Sequence, residues 1–228
     1  MKAAFHGHAV VSVMTQNGTK LLFDPFITGH SQCDLSLDEL AVDVILVTHA
    51  HGDHLGDTVA LAKRTGALVI STVEIVTYLA TKGLENLHGM QPGGAHDFAF
   101  GRVKFTPAIH GSSITLENGM PYELGLAAGI LLTADGQTVY HVSDTALYSD
   151  MQLIGQREAI DLAFIPIGDN FTMGPQDAAQ AAEWLQAKRV VPIHYNTFPL
   201  IKQDPEAFVA LLAAGVGFVP NLGELFEI

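Results

Sequence analysis

The sequence predicts a single α/β sandwich domain in which two mixed β-sheets are flanked by helices. Each half of the chain shows hairpin patterns followed by alternating strands and helices, and no linker-like composition separates the halves. Hydrophobic residues make up 48% of the 228 residues, which is enough for a large core. The patterns G-x-G-x-x-G and G-x-x-x-x-G-K-[ST] are absent, so a nucleotide-binding Rossmann sheet has no support. We therefore expect one domain over residues 1–228.

The first half is predicted to open with a β-hairpin. Apolar residues flank Asn17-Gly18 on both sides, and Asn-Gly is a strong signal for a tight turn between two strands. The β-branched run within 43–48 predicts a strand that is buried on both faces. The other elements of this half are a strand at 67–70 and helices at 57–65 and 73–82, each ended by a glycine.

The second half is predicted to contain two hairpins and further strand–helix alternation. The hairpin over 98–108 is expected to turn at Gly101-Arg102, and the hairpin over 126–142 at Asp135-Gly136. A proline at the first position predicts a helix over 175–187. The remaining elements are strands at 161–167 and 189–193, a helix at 205–214 and an extended segment at 215–219.

The charge balance argues against several classes of partner. Eleven Lys and Arg residues against 24 Asp and Glu residues give a net charge of −13, which disfavours nucleic acid and anionic membranes. No apolar run reaches the ~18 residues of a membrane span. Residues 1–9 lack a signal-peptide pattern, and a single cysteine, Cys33, cannot form an internal disulfide, so we expect a cytoplasmic protein. Only 15% of the residues are charged, which indicates a fairly apolar surface and is compatible with a subunit interface in a homo-oligomer.

Four potential metal ligands lie within six residues at the end of the predicted strand. They are His49, His51, Asp53 and His54. A single loop histidine is usually only solvated, but four such groups at this density favour a divalent cation, which binds neutral imidazole and ionised carboxylate. His49 and His51 alternate on an extended segment and point to one side, while Asp53 and His54 follow where the chain turns into a helix. The pattern therefore favours two metal positions in an open site.

Three more candidate ligands each follow an apolar strand. His110, Asp144 and His194 stand at the carboxyl ends of predicted strands, where functional groups gather in α/β architectures. Each is a weak signal alone. Together with the His49–His54 segment they form one coherent set of imidazoles and carboxylates.

Four polar residues are expected to line a substrate pocket. They are His8, Asn170, Thr172 and Asn196. His8 lies in the predicted first hairpin, and the other three lie in loops after predicted strands. Because loops are generally polar, an ordinary structural role for each residue stays open.

With these residues in place, the sequence resembles the metallo-β-lactamase fold superfamily over its whole length. Asp24 matches the early strand-end aspartate of that superfamily, and the segment His49–His54 matches its central motif. His110, Asp144 and His194 match its later ligands. The resemblance implies an αββα sandwich with two metals at one edge.

The resemblance also implies roles for these residues. His49, His51 and His110 would hold the first metal, and Asp53, His54 and His194 the second. Asp144 would bridge the metals, and Asp24 would accept a hydrogen bond from a ligating histidine. Asp53 and Asp144 would serve catalysis by a metal-bridging hydroxide. Histidine-rich ligation favours zinc, while manganese, iron, cobalt and nickel also suit this set.

Two further segments are similar to the UPF0173 group of metal-dependent hydrolases, which is itself similar to the ascorbate-phosphate lactonase branch. They are Phe5-His6-Gly7-His8-Ala9 and the segment from Gly168 to Gly174. The expected function is hydrolysis of a small ester, lactone, thioester or phosphodiester. A non-catalytic metal-binding or sensing module is the alternative, and a nuclease is disfavoured by the acidic charge.

Overall fold

Two mixed β-sheets pack face to face in the computed structural model, which describes residues 1–228. The first sheet has seven strands in the order β15-β1-β2-β3-β4-β5-β6. Its strands are β1 (Lys2–Phe5), β2 (Val11–Met14), β3 (Lys20–Phe23), β4 (Val44–Leu46), β5 (Leu68–Thr72), β6 (Leu87–Met90) and β15 (Phe226–Glu227). Strands β3 to β6 are parallel, whereas β1 and β2 form the antiparallel part.

The second sheet has six strands in the order β14-β13-β12-β11-β8-β7. Its strands are β7 (Ala95–Phe98), β8 (Gly101–Pro107), β11 (Ala128–Ala134), β12 (Gln137–His141), β13 (Leu162–Pro166) and β14 (Arg189–Ile193). A separate hairpin joins β9 (Ser113–Thr115) to β10 (Pro121–Glu123). The predicted fold class, two mixed sheets flanked by helices, is confirmed.

Helices cover the outer face of each sheet. They are α1 (Gly52–Leu55), α2 (Thr58–Thr65), α3 (Val73–Thr81), α4 (Met151–Arg157), α5 (Pro175–Leu185) and α6 (Pro205–Val209), with a 3-10 turn at Pro199–Ile201. No helix combines the length and the apolar character that crossing a membrane requires.

Three hydrophobic layers hold this arrangement together. On β11, Ile130 and Leu132 point into the core between the sheets, whereas Leu131 points toward α4, α5 and α6. On β4, Leu46 faces the same inter-sheet core, whereas Ile45 packs toward α2 and α3. This alternation follows the two-residue period of a strand, and a strand buried on both faces reads as a continuous apolar run.

Several predicted boundaries differ from the structure. The turn of the β7–β8 hairpin lies before Gly101 rather than at Gly101-Arg102, because Gly101 pairs with Phe98 and approaches Thr133 of β11 too closely for a Cβ atom. Helix α6 ends five residues earlier than expected, and the segment 215–219 contributes only an isolated bridge from Gly217 to Val190. The sequence patterns also missed β1, β6, β9, β10, β15 and α4.

Candidate metal centre

The carboxyl ends of several strands bring the predicted ligands to one edge of the sandwich. In the first sheet β3 and β4 are parallel, so the loops after them start side by side. In the second sheet β12, β13 and β14 are parallel, and β8 runs in the same direction as β12 because both are antiparallel to β11. The site residues leave these ends as follows: Asp24 after β3, the segment 48–54 after β4, His110 after β8, Asp144 after β12 and His194 after β14.

Three imidazoles form the first group of candidate ligands. The Nδ1 atom of His51 lies 3.1 Å from Nε2 of His49 and 3.2 Å from Nε2 of His110. A tetrahedral zinc ion with Zn–N distances of about 2.0–2.1 Å separates its ligand nitrogens by about 3.3 Å. The spacing of the three imidazoles therefore fits a cation between them.

Carboxylates and two further imidazoles form the second group. The Oδ2 atom of Asp144 lies 2.9 Å from Nε2 of His194 and 3.2 Å from Nε2 of His54. The same oxygen lies 3.7 Å from Nε2 of His110, a member of the first group. Asp53 approaches from the other side, with its Oδ2 atom 3.7 Å from Nε2 of His194. Asp144 thus stands between the two groups.

Asp24 orients histidines of both groups from beneath. Its buried carboxylate accepts hydrogen bonds from the backbone N–H of Thr48 at 2.8 Å, the Thr48 hydroxyl at 2.7 Å and Nδ1 of His54 at 2.8 Å. Since the Thr48 hydroxyl donates to Asp24, it can only accept from Nδ1 of His49, which lies 2.9 Å away. Both histidines therefore carry their proton on Nδ1 and present Nε2 to the centre.

His8 supports Asp53 in a similar way. Its Nε2 atom lies 3.0 Å from Oδ2 of Asp53, and its Nδ1 atom lies 2.9 Å from the hydroxyl of Thr197. Because a carboxylate only accepts, Nε2 of His8 donates to Asp53. Burial lowers the pKa of His8 to about 4 although Asp53 opposes the shift, so the neutral ring accepts from Thr197. This chain holds the Asp53 carboxylate in place.

Buried polar atoms without hydrogen-bond partners test whether these residues suit a metal. Eight buried side-chain polar atoms have no hydrogen-bond partner, and four of them belong to candidate ligands: Nε2 of His54, both ring nitrogens of His194 and Oδ1 of Asp144. An unpaired buried polar atom costs about 1–3 kcal/mol, and more when the group is charged. The imidazole and carboxylate chemistry of these candidate ligands suits a divalent cation. The residues present therefore fit a metal site.

The pKa shifts of the site residues indicate that positive charge is favoured there. Burial alone would raise the pKa of Asp144, but His194 and His54 hold it well below its usual range. Burial would lower the pKa of His194, yet Asp144 and Asp53 raise it to about 9. Burial also lowers the pKa of His49 well below its usual value, with repulsion from His54 adding to the effect. Asp144, Asp24 and Asp53 likewise raise the pKa of His54 against its burial, so the carboxylates favour positive charge at the place where a cation could lie.

Backbone strain accumulates at the same residues. His8, Asp24 and His194 have φ values of +52°, +45° and +57°, in the left-handed region that non-glycine residues rarely adopt. Each such residue costs of order 1–3 kcal/mol and persists only where the surrounding structure holds it. Asp24 and His194 directly follow β3 and β14, His8 lies in the loop between β1 and β2, and all three residues are buried.

An open cavity of about 970 Å³ lies over the two groups. Its floor includes the predicted catalytic residues Asp53 and Asp144, and its lining residues are Phe26, His51, Gly52, Asp53, His110, Asp144, Phe171, His194, Phe198, Pro199 and Leu200. A volume of this size accommodates a small organic molecule.

Residues 19–195 match the family model described as Beta-lactamase superfamily domain. The chain belongs to the β-lactamase superfamily. It is 58% identical to a UPF0173 metal-dependent hydrolase from Shouchella clausii, with 100% of each chain covered. It is 55% identical to the UPF0173 metal-dependent hydrolase YtkL from Bacillus subtilis, again over 100% of each chain. The resemblance to the superfamily and to the UPF0173 group is thereby confirmed.

Solved structures of the superfamily share the fold. Igni18, a metallo hydrolase from Ignicoccus hospitalis, is 33% identical, with a TM-score of 0.87 over 100% of this chain and 98% of the other. An isothiocyanate hydrolase from Delia radicum gut bacteria is 18% identical, with a TM-score of 0.78 over 100% of this chain and 99% of the other. The second likeness concerns the fold alone.

The structure brings together the residues predicted as ligands but not those predicted as pocket. All seven candidate ligands meet in the two groups, and Asp24 contacts His54 as expected. Of the residues expected in a substrate pocket, His8 is buried and contacts Asp53, and Asn170, Thr172 and Asn196 are not among the residues that line the cavity, so their contact with a substrate stays a prediction. The Asn196 side chain instead accepts from the backbone N–H of Gln203 at 2.9 Å, which closes its own loop.

Sequence reasoning missed the residues that wall the cavity and those that support the ligands. Thr48 and Thr197 carry no motif of their own, although each lies within three residues of a candidate ligand. Phe26, Phe171 and Phe198 lie in loops after β3, β13 and β14. The sequence signal that could have indicated these three phenylalanines is their position in loops that follow parallel strands.

Proposed function

We propose that the chain is a dinuclear metal-dependent hydrolase acting on a small ester, lactone, thioester or phosphodiester. The observation that carries the proposal is the convergence of seven imidazole and carboxylate side chains, several with buried and unpaired ligand atoms, beneath an open cavity. Zinc suits this set best, and manganese, iron, cobalt and nickel are compatible with it.

Each group of side chains has a place in this proposal. His49, His51 and His110 would hold one cation. Asp53, His54 and His194 would hold a second, with Asp144 shared between them. When bound, the two cations supply a shared hydroxide at neutral pH and polarise the oxygen of the scissile group.

The protein side chains then fix the direction of attack. Asp53 lies at the cavity floor and is held by the N–H of His8, so its carboxylate can orient the attacking water and accept its proton. Asp24 keeps His54 and, through Thr48, His49 in the tautomer that leaves Nε2 free. No serine or cysteine nucleophile is required.

Metal removal and reconstitution test the proposal. The metal-free protein is expected to lose hydrolysis of a panel of nitrophenyl esters, lactones and phosphodiesters, and to regain it with zinc or manganese. Asp144→Asn should abolish activity, whereas Asp97→Asn, an exposed carboxylate paired with Arg102, serves as the matched control. Full activity without metal would overturn the proposal.

Two other functions give different results in the same experiment. A non-catalytic metal-binding module binds two equivalents of metal without turning over any member of the panel. A nuclease degrades RNA or DNA and binds it in a salt-dependent manner. The net charge of −13 favours a small-molecule substrate over nucleic acid. A single cysteine, which cannot form an internal disulfide, supports a cytoplasmic enzyme, and a homo-oligomer is compatible with the low charged fraction.

A further inference from the structure

The cavity above the candidate metal centre has a wall without polar side chains. Apart from candidate ligands and Gly52, every lining residue is apolar: Phe26, Phe171, Phe198, Pro199 and Leu200. No lysine, arginine, hydroxyl or amide side chain is among the lining residues. Polar recognition of a substrate is thus confined to the metal centre itself.

Part of this wall packs against His8 and part is open to solvent. The rings of Phe26 and Phe198 each lie edge-on to the buried ring of His8, with centroids 5.5 Å away in both cases. Phe171 and Leu200 are instead 50% and 65% exposed. Large apolar side chains exposed around a cavity are typical of a surface that binds an apolar ligand.

The charge around the cavity disfavours a substrate with an anionic tail. Asp53 and Asp144 lie on the floor, and none of the 11 Lys and Arg residues lines the cavity. A phosphate or carboxylate remote from the reacting bond would enter this space without a counter-ion. Desolvating an unpaired anion is costly, whereas an apolar group gains free energy when it leaves water.

The geometry points to an uncharged carboxylic ester, lactone or thioester with an apolar acyl or aryl group as the substrate class. This inference rests on the proposed hydrolase function and narrows it. The water oxygen bonds to the carbonyl carbon, and the C–O or C–S bond breaks with its electron pair going to the leaving group. The leaving oxygen or sulfur takes up a proton from the water, which gives an acid and an alcohol or thiol.

A chain-length series with the metal-loaded protein tests the inference. We expect kcat/KM to rise from nitrophenyl acetate through butyrate to hexanoate, because each fully buried methylene contributes about fourfold. A rise of about tenfold or more from acetate to hexanoate supports the wall as the acyl site. A flat or falling series, or a preference for bis(nitrophenyl) phosphate over hexanoate, would overturn it.

Variants of the exposed wall residues locate the effect. Phe171→Ala and Leu200→Ala should each lower the hexanoate-to-acetate ratio of kcat/KM by about threefold or more. Leu153→Ala is the matched control, since Leu153 is 49% exposed on α4 and does not line the cavity. A ratio that falls equally in the control would contradict the assignment.

Binding of unreactive ketones separates this inference from the proposed reaction. In saturation-transfer NMR, 2-octanone should bind more tightly than 2-butanone, and Phe171→Ala should weaken its binding. Such binding in a protein that hydrolyses no ester would support the apolar wall and overturn the hydrolase proposal. Ester hydrolysis that depends neither on chain length nor on Phe171 would support the hydrolase proposal and overturn the apolar wall as the acyl site.

Discussion

Replacing Asp24 with asparagine removes a charge from a buried position and keeps its shape. The carboxylate accepts two hydrogen bonds from Thr48 and one from His54, at 2.7–2.8 Å. The amide oxygen of asparagine can take the place of Oδ1 and accept from the Thr48 N–H, or take the place of Oδ2 and accept from the Thr48 hydroxyl and His54. In either orientation the NH₂ group faces at least one donor. Where it faces His54, that ring relieves the conflict by moving its proton from Nδ1 to Nε2, which removes it as a ligand.

The expected magnitude follows from these contacts. Losing a hydrogen-bond partner of a ligating histidine costs about 10–100-fold in metal affinity, which corresponds to about 1.4–2.8 kcal/mol at 1.4 kcal/mol per tenfold. One or two lost charge-assisted hydrogen bonds, at about 1.5–3 kcal/mol each, lower the free energy of unfolding by about 1.5–6 kcal/mol.

Competition with a chromophoric chelator measures the metal affinity, and urea unfolding measures the stability. Asp34→Asn is the matched control, because Asp34 also accepts from a histidine, His6, at 2.8 Å but lies outside the candidate metal centre. If Asp24→Asn bound two equivalents of zinc as tightly as the unchanged protein, the assigned role of Asp24 would be refuted.

Three further predictions concern the same centre. His8→Phe keeps the ring packing but removes the hydrogen bond to Asp53. The value of kcat should therefore fall about 10–100-fold in steady-state assays. An unchanged kcat would contradict the positioning role of His8. Metal binding displaces protons from His194, whose pKa is raised to about 9, and from His54, whose pKa neighbouring carboxylates also raise. The metal affinity should therefore rise by about tenfold or more per pH unit between pH 7 and pH 9 in chelator competition, and a pH-independent affinity would contradict this. Removal of the metal with a chelator should lower the Tm measured by calorimetry. Free metal at about 100 times Kd stabilises the folded state by about 2.7 kcal/mol per site. An unchanged Tm would count against a metal in the native state.

The ligands could be predicted from the sequence because each is a charged or imidazole group directly after an apolar strand. His110, Asp144 and His194 lie far apart in the sequence, yet the shared direction of β8, β12 and β14 brings them to one edge. The clustered segment at His49–His54 added density that solvated loops lack. Residue chemistry and position after a strand indicated the candidates, and the resemblance to the superfamily supplied their grouping around two metals.

The substrate cavity could not be predicted in the same way. Asn170 and Thr172 were expected to face substrate, yet the apolar residue between them, Phe171, lines the cavity instead. Which side chain of a loop turns inward depends on the local backbone, here positive φ values at Asp169 and Asn170, and has no periodic signature. His8, also expected to face substrate, is buried and donates a hydrogen bond to Asp53 instead.

Short and irregular elements were also beyond the reach of pattern reasoning. Strand β6 has the sequence Leu-His-Gly-Met, which shows neither alternation nor a continuous apolar run. It lies at the edge of its sheet and pairs only with β5. The two residues of β15 pair with β1 across almost the whole length of the chain. Such elements form because a neighbouring strand offers free hydrogen-bonding groups, which local sequence does not reveal.

Anomalous X-ray diffraction at the zinc edge, from crystals of the zinc-loaded protein, tests the central claim most directly. We expect two peaks per chain, one enclosed by His49, His51 and His110 and the other by Asp53, His54 and His194, with Asp144 in contact with both. One peak or none at this edge of the sandwich, or zinc held by other residues, would contradict a dinuclear centre.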